Sequence, residues 1–183
     1  MAGALKGGVG SASFLTSDGY TVGALAAVNS FGSVVAPGGR AFWAAPYEVD
    51  GEFGGVSLGD ARAAAEDWGL AKRDPRVGAN TTIACVAVDA ILTPAQARRL
   101  AMMAQDGLAR AIRPVHAPFD GDVVFVLSTG RLPLAEPEPF CLTRLGSIAA
   151  DCLARAVARG VHEARAWPDT PTLCWRDLGP NGV

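Results

Sequence analysis

Histidine is scarce in this sequence, and cysteine is sparse and unpaired in spacing. His116 and His162 are the only two histidines, and Cys85, Cys141, Cys152 and Cys174 contain no CxxC unit. That argues against a zinc site. Basic clusters are missing too. Sixteen Lys and Arg against eighteen Asp and Glu leave a formal charge of −2, with no cationic stripe for a polyphosphate partner, so nucleic acid is excluded as an expected partner. No apolar run reaches the ~18 residues of a membrane span, so no membrane is expected either. The opening Met1-Ala2-Gly3-Ala4-Leu5-Lys6 lacks the apolar core of a secretion signal. The expectation is a cytoplasmic chain whose cysteines are free thiols in apolar segments.

What is present is a single-domain length, 183 residues, of which 50% are apolar, enough for a real core. Ser11 to Leu15 and Tyr20 to Asn29 read as two strands joined by the turn Ser17-Asp18-Gly19, with Val34-Val35 as a third. Residues 36–80 form a Gly- and Pro-rich linker with room for a short helix from Asp60 to Lys72. Thr81 to Val88 is apolar at nearly every position and predicts a central strand covered on both faces. Thr93, Pro94 and Gln96 form a capping box, and Leu100, Met103, Ala104, Leu108 and Ile112 give the following helix one apolar stripe, ended by Pro114. Val123 to Leu127 predicts another buried strand, Pro133 to Pro139 a loop, and a last helix starts near Thr143. The tail after Trp167 has no pattern. Gly7, Gly8 and Gly10 follow no strand, so a dinucleotide loop is excluded.

Residue by residue, chemistry is thin. Asp120 and Asp122 bracket a glycine before a strand, a pair able to hold a base, a water or a cation; taken alone, a solvated Asp-Gly turn is the more ordinary reading. Lys6 lies among glycines, Asn29 ends a strand, and Asn80-Thr81 opens one. Each has an ordinary structural reading. His116 reads as structural, because no Ser-centred elbow accompanies it.

Taken in order, the segments carry more. Lys6-Gly7-Gly8-Val9-Gly10-Ser11-Ala12-Ser13, then Val22 to Asn29, Asn80-Thr81-Thr82-Ile83, and Asp106 to Pro114 through Asp120-Gly121-Asp122 resemble the P1 (S58) peptidase family. That family includes DmpA-type aminopeptidases, β-peptidyl aminopeptidases and nylon-oligomer hydrolases. The resemblance runs from Lys6 to about Gly160; the tail after Ala164 has no counterpart.

The resemblance implies an α+β fold, a partial αββα sandwich of the N-terminal-nucleophile type shared with ornithine acetyltransferase. It implies a precursor cut between Asn80 and Thr81, so that residues 1–80 end an α-chain region, with 36–80 as linker, and 81–183 form a β-chain region. Thr81 is then the nucleophile, its hydroxyl deprotonated by its own α-amine, whose ordinary pKa of ~7.7–8.0 suits a general base. Asn29 would help hold the oxyanion, Lys6 would be the nearby cation, and Asp120 and Asp122 would orient Lys6 and the Thr81 amine. The implied substrate is a small peptide or amide oligomer, hydrolysed at its amino end without metal or organic cofactor. Family members carry a further domain's worth of chain before the Lys-Gly-Gly segment, on the order of 100–200 residues. The expected partners are therefore that N-terminal half or further copies in a homo-oligomer. Two rival expectations are a non-catalytic remnant or subunit, and a self-cleaving acyltransferase of the ornithine acetyltransferase type. The Asn80-Thr81-Thr82-Ile83 segment does not match the latter.

Overall fold

A computed structural model describes residues 1–59, 65–74 and 80–179. Four strands form one sheet in the order β1-β2-β3-β4: β1 Val9–Leu15, β2 Thr21–Asn29, β3 Thr81–Ala90 and β4 Val123–Leu132. The first two pairings are antiparallel and β3–β4 is parallel, its crossover carried by α1 Pro94–Ala104 and α2 Asp106–Ala111. One face of the sheet is covered by α3, Glu138–His162. The arrangement is one α/β half of an αββα sandwich.

The β1–α3 contact explains the glycine run. A Cβ on Gly10 would sit 2.2 Å from the Ala156 carbonyl oxygen, so only glycine lets strand and helix backbones come this close. Ala149, Ala154, Ala156 and Ala158 of α3 are all buried, in one core cluster with Val22, Val86 and Leu153. Arg155 on α3 donates from Nε to Glu52 Oε1 at 2.5 Å and from Nη1 to the Ser13 carbonyl at 3.0 Å, tying the linker to β1. Breaking such a buried pair by removing one partner costs ~3–5 kcal/mol.

Several expectations change. Val34-Val35 is no strand but makes an isolated bridge, Val35 with Phe42, while Ser33 bridges to Arg113. The expected helix Asp60 to Lys72 lies partly outside the described residues; 65–72 are turns and irregular chain. The linker is less bare than expected, because Phe42, Ala44 and Phe53 enter the core and Phe42 stacks on Trp175 at 5.4 Å. Trp175 belongs to the tail read as patternless, which makes a short 3-10 turn, Trp175–Asp177. The helix after β3 breaks at Gln105 into α1 and α2, and its Thr93–Gln96 capping box is present. α3 begins at Glu138, earlier than Thr143, because a proline in the first turn forfeits no intrahelical bond.

The main correction concerns β3. It lies inside the sheet as expected but is covered on one face only. Even positions from Thr82 to Ala90 are buried, while odd ones are open or half-open. With their cross-strand neighbours, Leu25 (50% exposed), Ile83 (51%), Phe125 (58%) and Leu127 (54%) make an uncovered apolar face. The sequence is two-faced because both faces are apolar; this chain supplies a layer for one.

Candidate active site

The site forms where β2 ends and β3 and β4 begin. In the β2–β3 register Asn29 faces Thr81, and Asn80 bridges in parallel to Asp120. Alternation along the strands places Asn29 and Thr81 on the uncovered face, with Ala27 and Ile83.

The Asn80 carbonyl oxygen receives two donors. The Gly121 amide donates to it at 2.9 Å, and so does the Thr81 hydroxyl. The hydroxyl oxygen of Thr81 therefore lies against the carbonyl group of the peptide bond that precedes it. Gly121 is close for the same reason: a Cβ on it would meet Thr81 Oγ1 at 2.8 Å.

The two acids are not a solvated turn. Asp122 has a side chain only 4% exposed. Its Oδ1 accepts from the Thr82 amide at 2.8 Å, and its Oδ2 pairs with His116 Nδ1 at 3.1 Å. Gln105 Nε2 lies 3.3 Å from His116 Nε2. An ionised carboxylate only accepts, so His116 Nδ1 is the donor in its pair with Asp122. Asp120 accepts from the Phe31 amide at 3.3 Å and from the Ala117 amide at 3.1 Å. Burial, and secondarily the neighbouring charge of Asp122, push its pKa up; the two amides and Lys72 oppose that.

One side-chain cation reaches Asn29. Lys72 Nζ donates to Asn29 Oδ1 at 3.4 Å and to Asn80 Oδ1 at 2.6 Å. An ammonium only donates, so the atoms it meets are the amide oxygens. Burial lowers the pKa of Lys72, partly offset by Asp120.

Of the residues singled out from sequence, Asn29, Asn80, Thr81, Asp120 and Asp122 come together. Lys6 lies at the margin, with Nζ 5.2 Å from the centre of the Trp167 ring. The cation in contact with Asn29 and Asn80 is Lys72, which lies in the linker, where no periodicity or motif distinguishes one lysine from another. The Gly121 amide was also missed, since a backbone donor has no side-chain signature. His116, read from the sequence as structural, pairs with Asp122 and so lies next to the site. Among the described residues no group of three metal-ligating side chains gathers, and no helix is long and apolar enough to cross a membrane.

The family model described as peptidase family S58 matches residues 1–170. An uncharacterized aminopeptidase of Mycobacterium bovis is 46% identical over 193 residues, covering 98% of this chain and 54% of the relative. One of Mycobacterium leprae is 44% identical over 192 residues, covering 100% and 51%. The chain thus spans about half the length of the curated relatives it matches. Among solved structures, the PH0078 protein of Pyrococcus horikoshii superposes with a TM-score of 0.59 at 26% identity, covering 90% of this chain and 42% of that one. The L-aminopeptidase D-Ala-esterase/amidase of Ochrobactrum anthropi, a variant of the Ntn-hydrolase fold, gives 0.55 at 21% identity, covering 93% and 44%. The latter likeness carries the fold alone.

Proposed function

This chain belongs to peptidase family S58, and on that premise we propose that it is the nucleophile-bearing part of an aminopeptidase that first cuts its own Asn80–Thr81 bond. The observation that carries the reading is the double donation to the Asn80 carbonyl oxygen by the Thr81 hydroxyl and the Gly121 amide. In the first step Thr81 Oγ1 attacks the Asn80 carbonyl carbon, and the proton it gives up ends on the departing Thr81 nitrogen. Negative charge builds on the carbonyl oxygen, where the Gly121 N–H stabilises it. The C–N bond breaks and the acyl group moves to oxygen, leaving an ester that water hydrolyses. The products are a carboxylate on Asn80 and a free α-amine on Thr81.

That amine is the base for the second reaction. Its ordinary pKa near ~7.7–8.0 leaves part of it neutral at working pH, able to take the hydroxyl proton as Thr81 attacks an amide of the substrate. The acyl-enzyme is then released by water. Asn29, oriented by Lys72 on its oxygen, supplies an amide donor to the oxyanion; losing a donor of that kind costs ~2.7–4 kcal/mol. Asp122 grips the Thr82 amide and so fixes the residue next to the nucleophile, with His116 holding Asp122 in turn. Lys72, with Lys6 farther out, supplies positive charge that favours a neutral amine on Thr81.

The partner in this reading is the counterpart of the other half of the longer relatives. It would cover Leu25, Ile83, Phe125 and Leu127 as the second sheet of the sandwich and close the site, whose Asn29 and Thr81 lie on that same face. Homo-oligomers of the completed unit follow from the family resemblance. The specific test is intact mass. The wild type should yield two pieces, the second beginning at Thr81, and Thr81→Ala should stay whole. A wild-type cut at any other bond refutes the assignment.

A further inference from the structure

A cleft of about 660 Å³, within the range of small-ligand sites, shares Lys72 with the candidate site. Three rings wall it: Phe31, Phe119 and Trp68. Phe31 meets Phe119 edge-on at 4.7 Å and Trp68 at 6.2 Å. Its charged lining among the described residues is of one sign, Lys72 and Arg73. It is also joined to the catalytic groups through the chain. The Phe31 amide donates to Asp120, Phe119 directly precedes Asp120, and Lys72 contacts both Asn29 and Asn80. An apolar, aromatic slot with a cationic lip, opening next to Asn29, fits a small molecule that combines a flat ring with an anionic group.

Resting on the aminopeptidase reading, we propose that this cleft binds the leaving-group side of the substrate, as an aromatic residue with a free α-carboxylate. The substrates of choice are then dipeptides whose second residue is aromatic. The ring lies among Phe31, Phe119 and Trp68, where edge-to-face contacts suit it. The carboxylate meets Arg73, whose planar guanidinium matches a carboxylate's two oxygens, with Lys72 behind it. A free α-carboxylate exists only on the last residue of a peptide, so the cleft selects for length as well as for side chain. Trp68 is half exposed, at 49%, and Arg73 is open to solvent, so both are able to close on a ligand without core rearrangement.

The test separates ring from charge and binding from cleavage. N-acetyl-L-phenylalanine, its uncharged amide and N-acetyl-L-alanine are titrated into the purified chain by calorimetry, with Trp68 fluorescence as a second readout. The acid should bind at least tenfold more tightly than either the amide or the alanine derivative. Arg73→Ala should reduce the acid-over-amide preference below threefold while leaving the affinity for the amide unchanged. Trp68→Ala should weaken acid and amide alike. Cooperative thermal unfolding of each variant establishes that it is folded. Equal binding of acid and amide, no binding by the folded chain, or a preference unchanged in Arg73→Ala overturns the proposal. Thr81→Ala should bind the acid as the wild type does. Binding without Thr81-dependent cleavage therefore sinks the nucleophile assignment alone, and cleavage without the acid preference sinks the cleft alone.

Discussion

Replacing Gly121 by alanine tests the site with the smallest perturbation available, one methyl group. The added Cβ would lie 2.8 Å from Thr81 Oγ1 and 3.6 Å from the Asn80 carbonyl oxygen. Gly121 is not among the residues with positive φ, so alanine meets no backbone strain there. The conflict is with the nucleophile's hydroxyl; the carbonyl oxygen it faces is left in ordinary contact. Relief requires Thr81 to rotate about χ1, or its strand end and the 120–122 turn to part by several tenths of an ångström. Displacements of about 1 Å from an attack geometry cost ~10²-fold in rate, about 2.7 kcal/mol. Against that, alanine reduces the freedom of the unfolded chain and contributes ~0.4–1 kcal/mol of stability where its conformation is allowed. Thermal stability should therefore change little while cleavage slows about a hundredfold. Intact mass followed over time after purification measures the rate, and thermal unfolding measures the stability. Gly23→Ala is the control, since its Cβ would meet nothing nearer than 3.9 Å; it should cleave like the wild type. Cleavage of Gly121→Ala at the wild-type rate would refute the claim that the Gly121–Thr81 approach holds the reactive geometry.

Asp122→Asn leaves one accepting oxygen where Thr82 and His116 each met one, because an amide nitrogen only donates; processing should slow at least tenfold, about 1.4 kcal/mol, with the fold retained by circular dichroism. Burial raises the Asp120 pKa above its unfolded value, so the folded state holds the proton longer. The Asp120 contribution to stability is present below the unfolded pKa near 3.8 and is lost as pH rises through the higher folded value, so chemical denaturation of Asp120→Asn against wild type should lack that component of the slope. Cys85 lies on the uncovered sheet face between Leu25 and Phe125, whereas Cys152 is buried with its thiol pushed up to about 11. A thiol reagent should label Cys85 rapidly in the isolated monomer and slowly once a second sheet or another copy covers the face, and leave Cys152 unmodified in both. Light scattering on the isolated chain should show self-association driven by that face, and a monodisperse monomer at high concentration would count against it.

Local chemistry made much of the fold legible. The β1–β2 hairpin, the Thr93 capping box and the strand after Asn80 are set by neighbours within a few residues, where turn residues, caps and alternation act. The candidate site was legible in part for the same reason. Asn29, Thr81, Asp120 and Asp122 sit at strand ends inside short, ordered motifs. Covering of β3 was misread, because an apolar residue reports that a face is to be buried and not which part of the protein will bury it.

By itself, then, the sequence determined which segments become strands and helices, the glycines that let β1 touch α3, and the small set of polar residues placed at strand ends. Only the tertiary structure decided which of these meet. Lys72 reaches Asn29 and Asn80 across 43 and eight positions of chain. His116 closes on Asp122 because a loop turns back, and Trp175 returns from the tail to stack on Phe42. The amide of Gly121 becomes a donor to the Asn80 carbonyl only because β4 pairs in parallel beside β3. Contacts of that kind depend on long-range register and on backbone groups every residue possesses, so no residue type announces them in advance.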